Sequence, residues 1–280
     1  MNPVAVTGLL VAAIRAEETA SALPLFRDPF AAALAGELGR ATLAKYRAAG
    51  AGPSVPVIEV RTRWYDDAIA RALAAGLRQV VILAAGMDSR AFRLDFPEGV
   101  RLFELDQPAV LAHKQQALQG VTPRCQRQSL GCDLAQEWTG LLEAAGFQRR
   151  YPTLWLVEGL LQYLEASAAA QVLNRLSALS SSGSVALYDV VGQSLLDSPV
   201  IASTLEMMRE LGAPWIFGSD DPGALLPGWQ TQVTEPAIVG NALKRWPFPA
   251  APPGVPGVPR GYLIEATKAT YFQSPVATSS

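Results

Sequence analysis

The residues with the clearest chemical potential lie in a glycine turn and at the end of a strand about twenty residues later. The apolar run QVVILAAG ends at Gly86, within the turn AAGMDSR. The next run, VRLFELD, contains Glu104 and Asp106 among its last three residues. In parallel α/β folds, a glycine in the first turn lets the backbone approach a ligand, and an acid after the second strand accepts hydrogen bonds from ribose hydroxyls. The spacing therefore predicts a nucleoside site.

The number of glycines in this turn narrows the ligand. A dinucleotide fingerprint uses three glycines so that a helix N-terminus can hold a pyrophosphate, whereas Gly86 follows two alanines and stands alone. This pattern disfavours a nicotinamide dinucleotide, the competing ligand for such a fold. It favours a cofactor with a ribose and no linked phosphates, of which S-adenosylmethionine is the common example.

Alternating strands and helices are predicted to position these groups. Short β-branched or apolar runs at 79–86, 100–106, 124–130, 152–159 and 184–191 alternate with helical segments at 108–119, 136–145 and 165–180. A helical N-terminal third precedes them, and two closing strands are predicted at 231–235 and 261–268. This alternation indicates an α/β fold with a mostly parallel sheet, whose ligand crevice lies at the carboxyl ends of the strands.

Composition excludes several classes of protein. The 280 residues are 50% hydrophobic and 17% charged, as in a globular chain, and the net charge of −2 argues against a nucleic-acid partner. No apolar run approaches the roughly 18 residues that span a membrane. Cys125 and Cys132 lack a CxxC pair or flanking histidines, so we expect neither a metal site nor a disulfide, and a cytoplasmic location.

Several motifs, in order along the chain, resemble the leucine carboxyl methyltransferase family, including its bacterial small-molecule O-methyltransferase branch. They are RAEETASALPLFRDPFA, VRTRWYDD, VILAAGMDSRAFRL, LFELDQPAVLAHK, the pair Asp133–Leu134, PTLWLVEGLLQYL and the terminal GYLIEATK. The resemblance implies a Rossmann-like class I methyltransferase that uses S-adenosylmethionine and has a seven-stranded sheet. It also implies one domain over 1–280, with a helical cap (1–76), a nucleoside-binding core (77–192), a lid insertion after strand five (193–230) and closing strands (231–280).

The same resemblance implies which residues contact the cofactor. They are Arg15, Arg61, Gly86, Asp106, Asp133, Leu134 and Glu158. Arg61, assisted by Arg15, would pair with the carboxylate of the methionine part of the cofactor, and Gly86 would lie beneath that part. Glu158 would lie near the sulfonium. Asp106 would hold the ribose, and Asp133 and Leu134 would hold the adenine. Two departures from the family pattern are Ala84, where a glycine is usual, and Arg63, which could compete for the role of Arg61.

The acceptor of the methyl group is inferred from the scarcity of bases. A carboxylate is already ionised at neutral pH, whereas a hydroxyl benefits from a positioned base, most often histidine. The only histidine, His113, falls in the predicted helix after strand two, away from the expected acceptor. This favours a methyl ester, although Tyr163, Tyr188 or Asp189 could still serve a phenol. Glu158 and Tyr163 are the predicted catalytic residues, and the aromatic and methionine-rich residues 195–230 the predicted acceptor pocket.

The sequence therefore predicts an O-methyltransferase acting on a small-molecule carboxylic acid, such as a natural-product intermediate of secondary metabolism. Three alternatives stay open. They are methylation of a phenol or hydroxyl, methylation of a protein C-terminal carboxylate, and a non-catalytic relative that binds the nucleoside as a scaffold or sensor. The acceptor's identity, the pathway and the oligomeric state are not determined by the sequence.

Overall fold

The N-terminal part of the chain folds into three helices that pack on one face of a sheet. The computed structural model describes residues 3–50, 55–252, 255 and 257–269. Helix α1 spans Pro3–Ala20, α2 spans Ala31–Ala49 and α3 spans Val57–Ala74. A Cβ atom on Gly39 would lie 2.6 Å from the carbonyl oxygen of Leu9. Glycine at this position therefore permits the close approach of α2 to α1.

A seven-stranded sheet forms the centre of the protein. Its strands are β1 Gln79–Leu83, β2 Arg101–Asp106, β3 Gln126–Gly131, β4 Thr153–Val157, β5 Val185–Val191, β6 Trp229–Thr234 and β7 Gly261–Lys268. Their order in the sheet is β3-β2-β1-β4-β5-β7-β6, and β7 is antiparallel to both of its neighbours while the other pairs are parallel. The predicted α/β fold with a mostly parallel sheet is thus confirmed.

Helices cover both faces of the sheet. After the first three, they are α4 Arg90–Arg93, α5 Pro108–Ala117, α6 Thr139–Ala144, α7 Ala166–Leu179, α8 Gln193–Leu196, α9 Ala202–Glu210 and α10 Pro236–Ala242. In β1, Val80 and Ile82 face the core shared with α1–α3, whereas Val81 and Leu83 face the core shared with α6 and α7. Burial on both faces explains why this strand is a continuous apolar run.

The segment between β5 and β6, predicted as a lid, contributes to the core. Met207 and Met208 in α9 are buried and belong to the same apolar cluster as the N-terminal helices, with Tyr46 and Trp215 packed against it. These methionines therefore anchor α9 to the rest of the fold. A role of this segment in covering the substrate stays a prediction.

The predicted boundaries differ from the observed ones by up to three residues, as at the end of β1 (predicted 86, observed Leu83) and the start of α6 (predicted 136, observed Thr139). The two outer strands differ as well. Strand β3 begins at Gln126, two residues later than predicted, and β6 begins at Trp229, two residues earlier. Both lie at the edges of the sheet and expose many side chains, which weakens the apolar pattern that marks a strand. The division into cap, core, lid and closing strands stays a prediction, and its residues 1–2, 51–54, 253–254, 256 and 270–280 lie outside the described residues.

Candidate active site

The turn after β1 and the end of β2 meet at the carboxyl edge of the sheet. Gly86 has a positive φ of 45°, and its backbone N–H donates to Oδ2 of Asp106 over 2.6 Å. The other carboxylate oxygen of Asp106 accepts from the N–H of Gln107, also over 2.6 Å. Burial raises the pKa of Asp106 above its ordinary value, although these two N–H groups oppose the shift. The two residues predicted to hold the nucleoside are thus directly hydrogen-bonded.

A buried ion-pair network lies at the ends of β4 and β5. Arg61 of α3 donates through Nε to Oε1 of Glu158 over 3.0 Å and through Nη1 to Oδ2 of Asp189 over 3.1 Å. The other oxygen of Asp189 accepts from the hydroxyl of Tyr65 and from the N–H of Gly159. Arg61 is only 8% exposed, so its charge is neutralised inside the protein and not by water.

Glu158 lies between two arginines, and the second of them was not predicted. Its Oε2 accepts from Nη1 of Arg90 over 2.7 Å, and Arg90 also binds Asp88 and Asp66. Burial alone would raise the pKa of Glu158, but Arg90 and Arg61 outweigh it and lower the pKa below its ordinary value. Burial also opposes ionisation of Asp88, but Arg90 and, after it, Lys114 lower the pKa of Asp88 to about 2. Glu158 is therefore an ionised anchor and a weak base.

The two other N-terminal arginines occupy different environments. Arg15 of α1 is buried, donates through Nε to Asp28 over 2.9 Å and through Nη2 to the carbonyl oxygen of Met87 over 2.6 Å. It thus reaches the turn that holds Gly86. Arg63 instead binds Asp67 in its own helix and the carbonyl oxygen of Leu25, and its side chain is 40% exposed. Arg61, and not Arg63, lies in the buried network.

The predicted adenine contacts follow β3. The N–H of Cys132 donates to the carbonyl oxygen of Asp106 over 2.9 Å, which holds the start of this loop against β2. Asp133 is exposed and accepts from the N–H of Ala135, and Leu134 is half-buried against the core shared with α6 and α7. The loop therefore lies beside Asp106, the residue predicted to bind the ribose. The role of both residues in binding adenine stays a prediction.

The candidate bases are distributed around the molecule. Tyr163 lies in a short 3₁₀ helix five residues after Glu158 and is half-buried. Tyr188 is buried on the face of the sheet that packs against α6 and α7, and it donates its hydroxyl to the carbonyl oxygen of Pro222 over 2.8 Å. His113 has Nε2 3.4 Å from the carbonyl oxygen of Leu34, between α5 and α2. Tyr163 belongs to the segment that directly follows Glu158, whereas Tyr188 and His113 make their contacts elsewhere.

Sequence reasoning missed several members of the network. The unpredicted charged residues are Asp66, Asp88, Arg90 and Arg93. A signal was present for Asp66, because the motif VRTRWYDD places Arg61 and Tyr65 four residues apart on one face of α3 and Asp66 directly after Tyr65. All three side chains are buried, so their polar groups require buried partners.

Gly159 provides a prediction about this network. It has φ of +64°, and a Cβ atom there would lie 3.3 Å from Nη1 of Arg61. We expect Gly159→Ala to destabilise the fold by about 1–2 kcal/mol, because alanine disfavours this backbone conformation, and to displace the guanidinium as well. Urea denaturation and calorimetric titration with S-adenosylhomocysteine measure the two effects separately.

Gly120 offers a matched control for this substitution. It has a similar φ of +81°, but a Cβ atom there would meet nothing within 4 Å. Gly120→Ala should therefore cost similar stability and leave ligand affinity unchanged. Equal ligand affinity in the two variants would show that Gly159 does not position Arg61.

Across the described residues, no three histidine, cysteine, aspartate or glutamate side chains are placed to hold a metal ion together. None of the helices in the described part of the chain has both the length and the apolar character that a membrane span needs.

Known proteins resemble this chain in both sequence and fold. A Frankia alni protein, provisionally named an S-adenosyl-L-methionine-dependent methyltransferase, is 46% identical over 187 residues, which are 64% of this chain and 65% of that relative. The chain thus matches a little under two thirds of that relative's length. A provisionally assigned methyltransferase from Thermobifida fusca has a similar structure, with a TM-score of 0.63 and 18% identity over 86% of this chain and 93% of its own.

A second solved structure resembles this one over nearly the whole chain. It is a DUF574 family protein from Streptomyces avermitilis, with a TM-score of 0.65 and 13% identity over 94% of this chain and 97% of its own. At such identities the likeness concerns the fold alone. The sequence profile of the family named leucine carboxyl methyltransferase matches residues 8–177, which is more than half of the chain. The protein therefore belongs to the leucine carboxyl methyltransferase family.

Proposed function

We propose that the protein is an S-adenosylmethionine-dependent O-methyltransferase that forms a methyl ester on the carboxylate of a small molecule. The observation that carries the proposal is the meeting of two groups at one edge of the sheet. One is the hydrogen-bonded pair of Gly86 and Asp106, and the other is the buried pair of Arg61 and Glu158. Membership of the family supports the same cofactor. A cytoplasmic location and a place in secondary metabolism stay predictions.

The chemistry of the donor set fits this cofactor. When bound, S-adenosylmethionine supplies an electrophilic methyl group on a positively charged sulfur. Asp106 has a carboxylate that can accept ribose hydroxyls in addition to its two backbone bonds. Arg61 and Arg15 offer guanidinium groups to the carboxylate of an amino acid. Glu158, held ionised by its two arginines, offers negative charge to the ammonium or sulfonium group.

One nitrogen of Arg61 is suited to a ligand carboxylate. Nε and Nη1 are used by Glu158 and Asp189, whereas Nη2 has no hydrogen-bond partner among the residues that the structure describes. A guanidinium can bind several oxygens at once because its donors point in fixed directions within a plane. Binding of the ligand therefore does not require the existing ion pairs to break.

The surroundings of the site favour an acceptor that is already ionised. Glu158 has a lowered pKa and is a weak base, and Tyr188 and His113 lie in other contacts. Methyl transfer to a carboxylate needs alignment of the nucleophile and exclusion of water, but no proton has to be removed. Tyr163, in the short helix that follows Glu158, is suited to donate its hydroxyl to such an acceptor and so to orient it.

A labelled-cofactor assay tests the proposal. The protein is incubated with S-adenosylmethionine carrying a labelled methyl group and a panel of small carboxylic acids and phenols, and the products are identified by mass spectrometry. A product that loses its label in mild base is an ester, as proposed. A base-stable product would identify an ether and a hydroxyl acceptor instead, and absence of S-adenosylhomocysteine binding in calorimetry would refute the cofactor.

The role of Asp106 yields a separate prediction. We expect Asp106→Ala to weaken binding of S-adenosylhomocysteine by about 1–3 kcal/mol, the cost of leaving polar partners unpaired. Calorimetric titration measures this loss. Asp95→Ala is the control, because the Asp95 side chain is 96% exposed and pairs only with the surface residue Arg124 in the described structure. Equal affinities for the two variants would remove Asp106 from the site.

A further inference from the structure

A fully buried lysine lies beneath the turn that contains Gly86. The side chain of Lys114, in α5, is 0% exposed and donates to Oε2 of Glu104 over 2.8 Å. Arg127 of β3 donates to the same oxygen over 2.8 Å. A buried lysine is costly unless it has well-placed partners. The ion pair with Glu104 offsets the free-energy cost of burying this lysine. A second contact of Lys114 indicates a further role.

That second contact is with the backbone of the glycine turn. Nζ of Lys114 lies 3.3 Å from the carbonyl oxygen of Ala85, which also accepts from the N–H of Asp88. The N–H of Gly86 donates to Asp106. The carbonyl of Ala85 and the N–H of Gly86 belong to one peptide group, and in a trans peptide they point in opposite directions. This peptide group is therefore held at one end by an ammonium and at the other by a carboxylate.

The turn needs such support because its backbone is unusual. Ala84 has φ of 53° and Gly86 has φ of 45°, and a positive φ is disfavoured for alanine. Rotation of the peptide between Ala85 and Gly86 would break the contacts with both Lys114 and Asp106. It would also turn away the N–H that fixes the Asp106 carboxylate.

We propose that Lys114 is a positioning residue for the cofactor site, holding the Ala85–Gly86 peptide in the orientation that keeps Asp106 aligned for the ribose. Glu104 and Arg127 fix the ammonium of Lys114 in place. The inference about the ribose rests on the proposed function, whereas the effect on the turn does not. Lys114 acts through the backbone and touches neither of the reacting groups.

Arg127 provides a matched control for the experiment. Lys114 and Arg127 both bind Oε2 of Glu104 over 2.8 Å, and each substitution by methionine leaves Glu104 with one cation. Of the two, Lys114 contacts Ala85. A loss that depends only on the buried ion pairs will therefore be similar in both variants, and a loss that depends on the turn will be specific to Lys114→Met.

Two measurements test the proposal. Calorimetry is expected to show S-adenosylhomocysteine binding weakened about tenfold or more in Lys114→Met and less than about threefold in Arg127→Met, in line with the loss of one hydrogen bond to a charged group. Hydrogen exchange of the ligand-free proteins is expected to be faster at residues 85–88 in Lys114→Met only. Lys114→Gln, whose side chain is one bond shorter and still polar, replaces Lys114→Met if the latter does not fold.

The outcomes separate this inference from the proposed function. Equal affinity losses and equal exchange at 85–88 in the lysine and arginine variants would overturn the positioning role. Failure of the unmodified protein to bind S-adenosylhomocysteine would refute the proposed function. The exchange comparison would then still decide whether Lys114 holds the turn.

Discussion

Replacing Glu158 by glutamine is expected to destabilise the protein by about 3 kcal/mol, near the lower end of the range for breaking a buried ion pair. Each oxygen of Glu158 accepts from a different arginine, Arg61 at 3.0 Å and Arg90 at 2.7 Å. A glutamine can accept only from one of them and presents an NH₂ group to the other. Arg61 and Arg90 keep their remaining carboxylate partners, which is why the cost stays at the lower end.

Denaturation in urea measures this effect, and a surface ion pair provides the control. Glu265 binds Arg71 over 2.7 Å, but the arginine side chain is 57% exposed. Such pairs contribute roughly 0–1 kcal/mol, so Glu265→Gln should change the free energy of unfolding little. A similar small loss for both variants would mean that the charge of Glu158 is not needed for stability. It would also weaken the case that the site is built around an ionised Glu158.

Glu158→Gln should also affect ligand binding and turnover. The proposed site uses the negative charge of Glu158 near the ammonium or sulfonium end of the cofactor. Its loss leaves the two arginines with less compensation, so the local potential becomes more positive and less favourable to a cation. Affinity for S-adenosylmethionine should consequently fall more than affinity for S-adenosylhomocysteine, whose sulfur is neutral. Calorimetry with both ligands measures this difference directly.

The parts of the site that the sequence predicted share a local origin. Gly86 and Asp106 end two apolar runs, and parallel connectivity brings the ends of such runs to one edge of a sheet. The register of β1 with β2 pairs Leu83 with Leu105, which places the turn directly beside Asp106. The pattern of strands and helices was therefore sufficient to predict which side chains share the edge.

The ion-pair network depends on contacts between distant segments. Arg61 is 97 residues from Glu158 and 128 from Asp189, and Arg90 is 68 from Glu158. No local periodicity specifies which carboxylate a buried arginine binds, because the pairing is decided by how α3 packs on the sheet. Only the requirement that such charges find partners could be inferred beforehand.

Glu104 illustrates a second limit of sequence reasoning. It lies near the end of β2, as Asp106 does, and both could be read as ribose ligands. The structure buries Glu104 completely against Lys114 and Arg127 and leaves Asp106 beside Gly86. Side chains two residues apart in a strand point to the same face, so alternation could not distinguish them. What distinguishes Glu104 from Asp106 is the position of each along β2 relative to α5, which places Glu104 against Lys114.

Substitution of Arg61 is expected to have the largest effect on ligand binding. We expect Arg61→Ala to weaken S-adenosylhomocysteine binding by about 2–5 kcal/mol, the range for truncating one partner of a buried charge pair. The loss corresponds to roughly thirtyfold to a few thousandfold in the dissociation constant. The ligand affinity of Arg61→Lys should lie between those of Arg61→Ala and the unmodified protein, because an ammonium keeps the charge but lacks the planar fork of donors.

Arg63→Ala separates the role of Arg61 from a general effect of positive charge on α3. The two arginines lie two residues apart in one helix, but Arg63 binds Asp67 and is 40% exposed, whereas Arg61 contacts Glu158 and Asp189 inside the protein. After Arg61→Ala, Glu158 still binds Arg90 and Asp189 still binds Tyr65, so the fold should persist. Ligand affinity should thus fall for Arg61→Ala and stay unchanged for Arg63→Ala. The reverse order would transfer the role to Arg63 and contradict the placement of the site at the buried network.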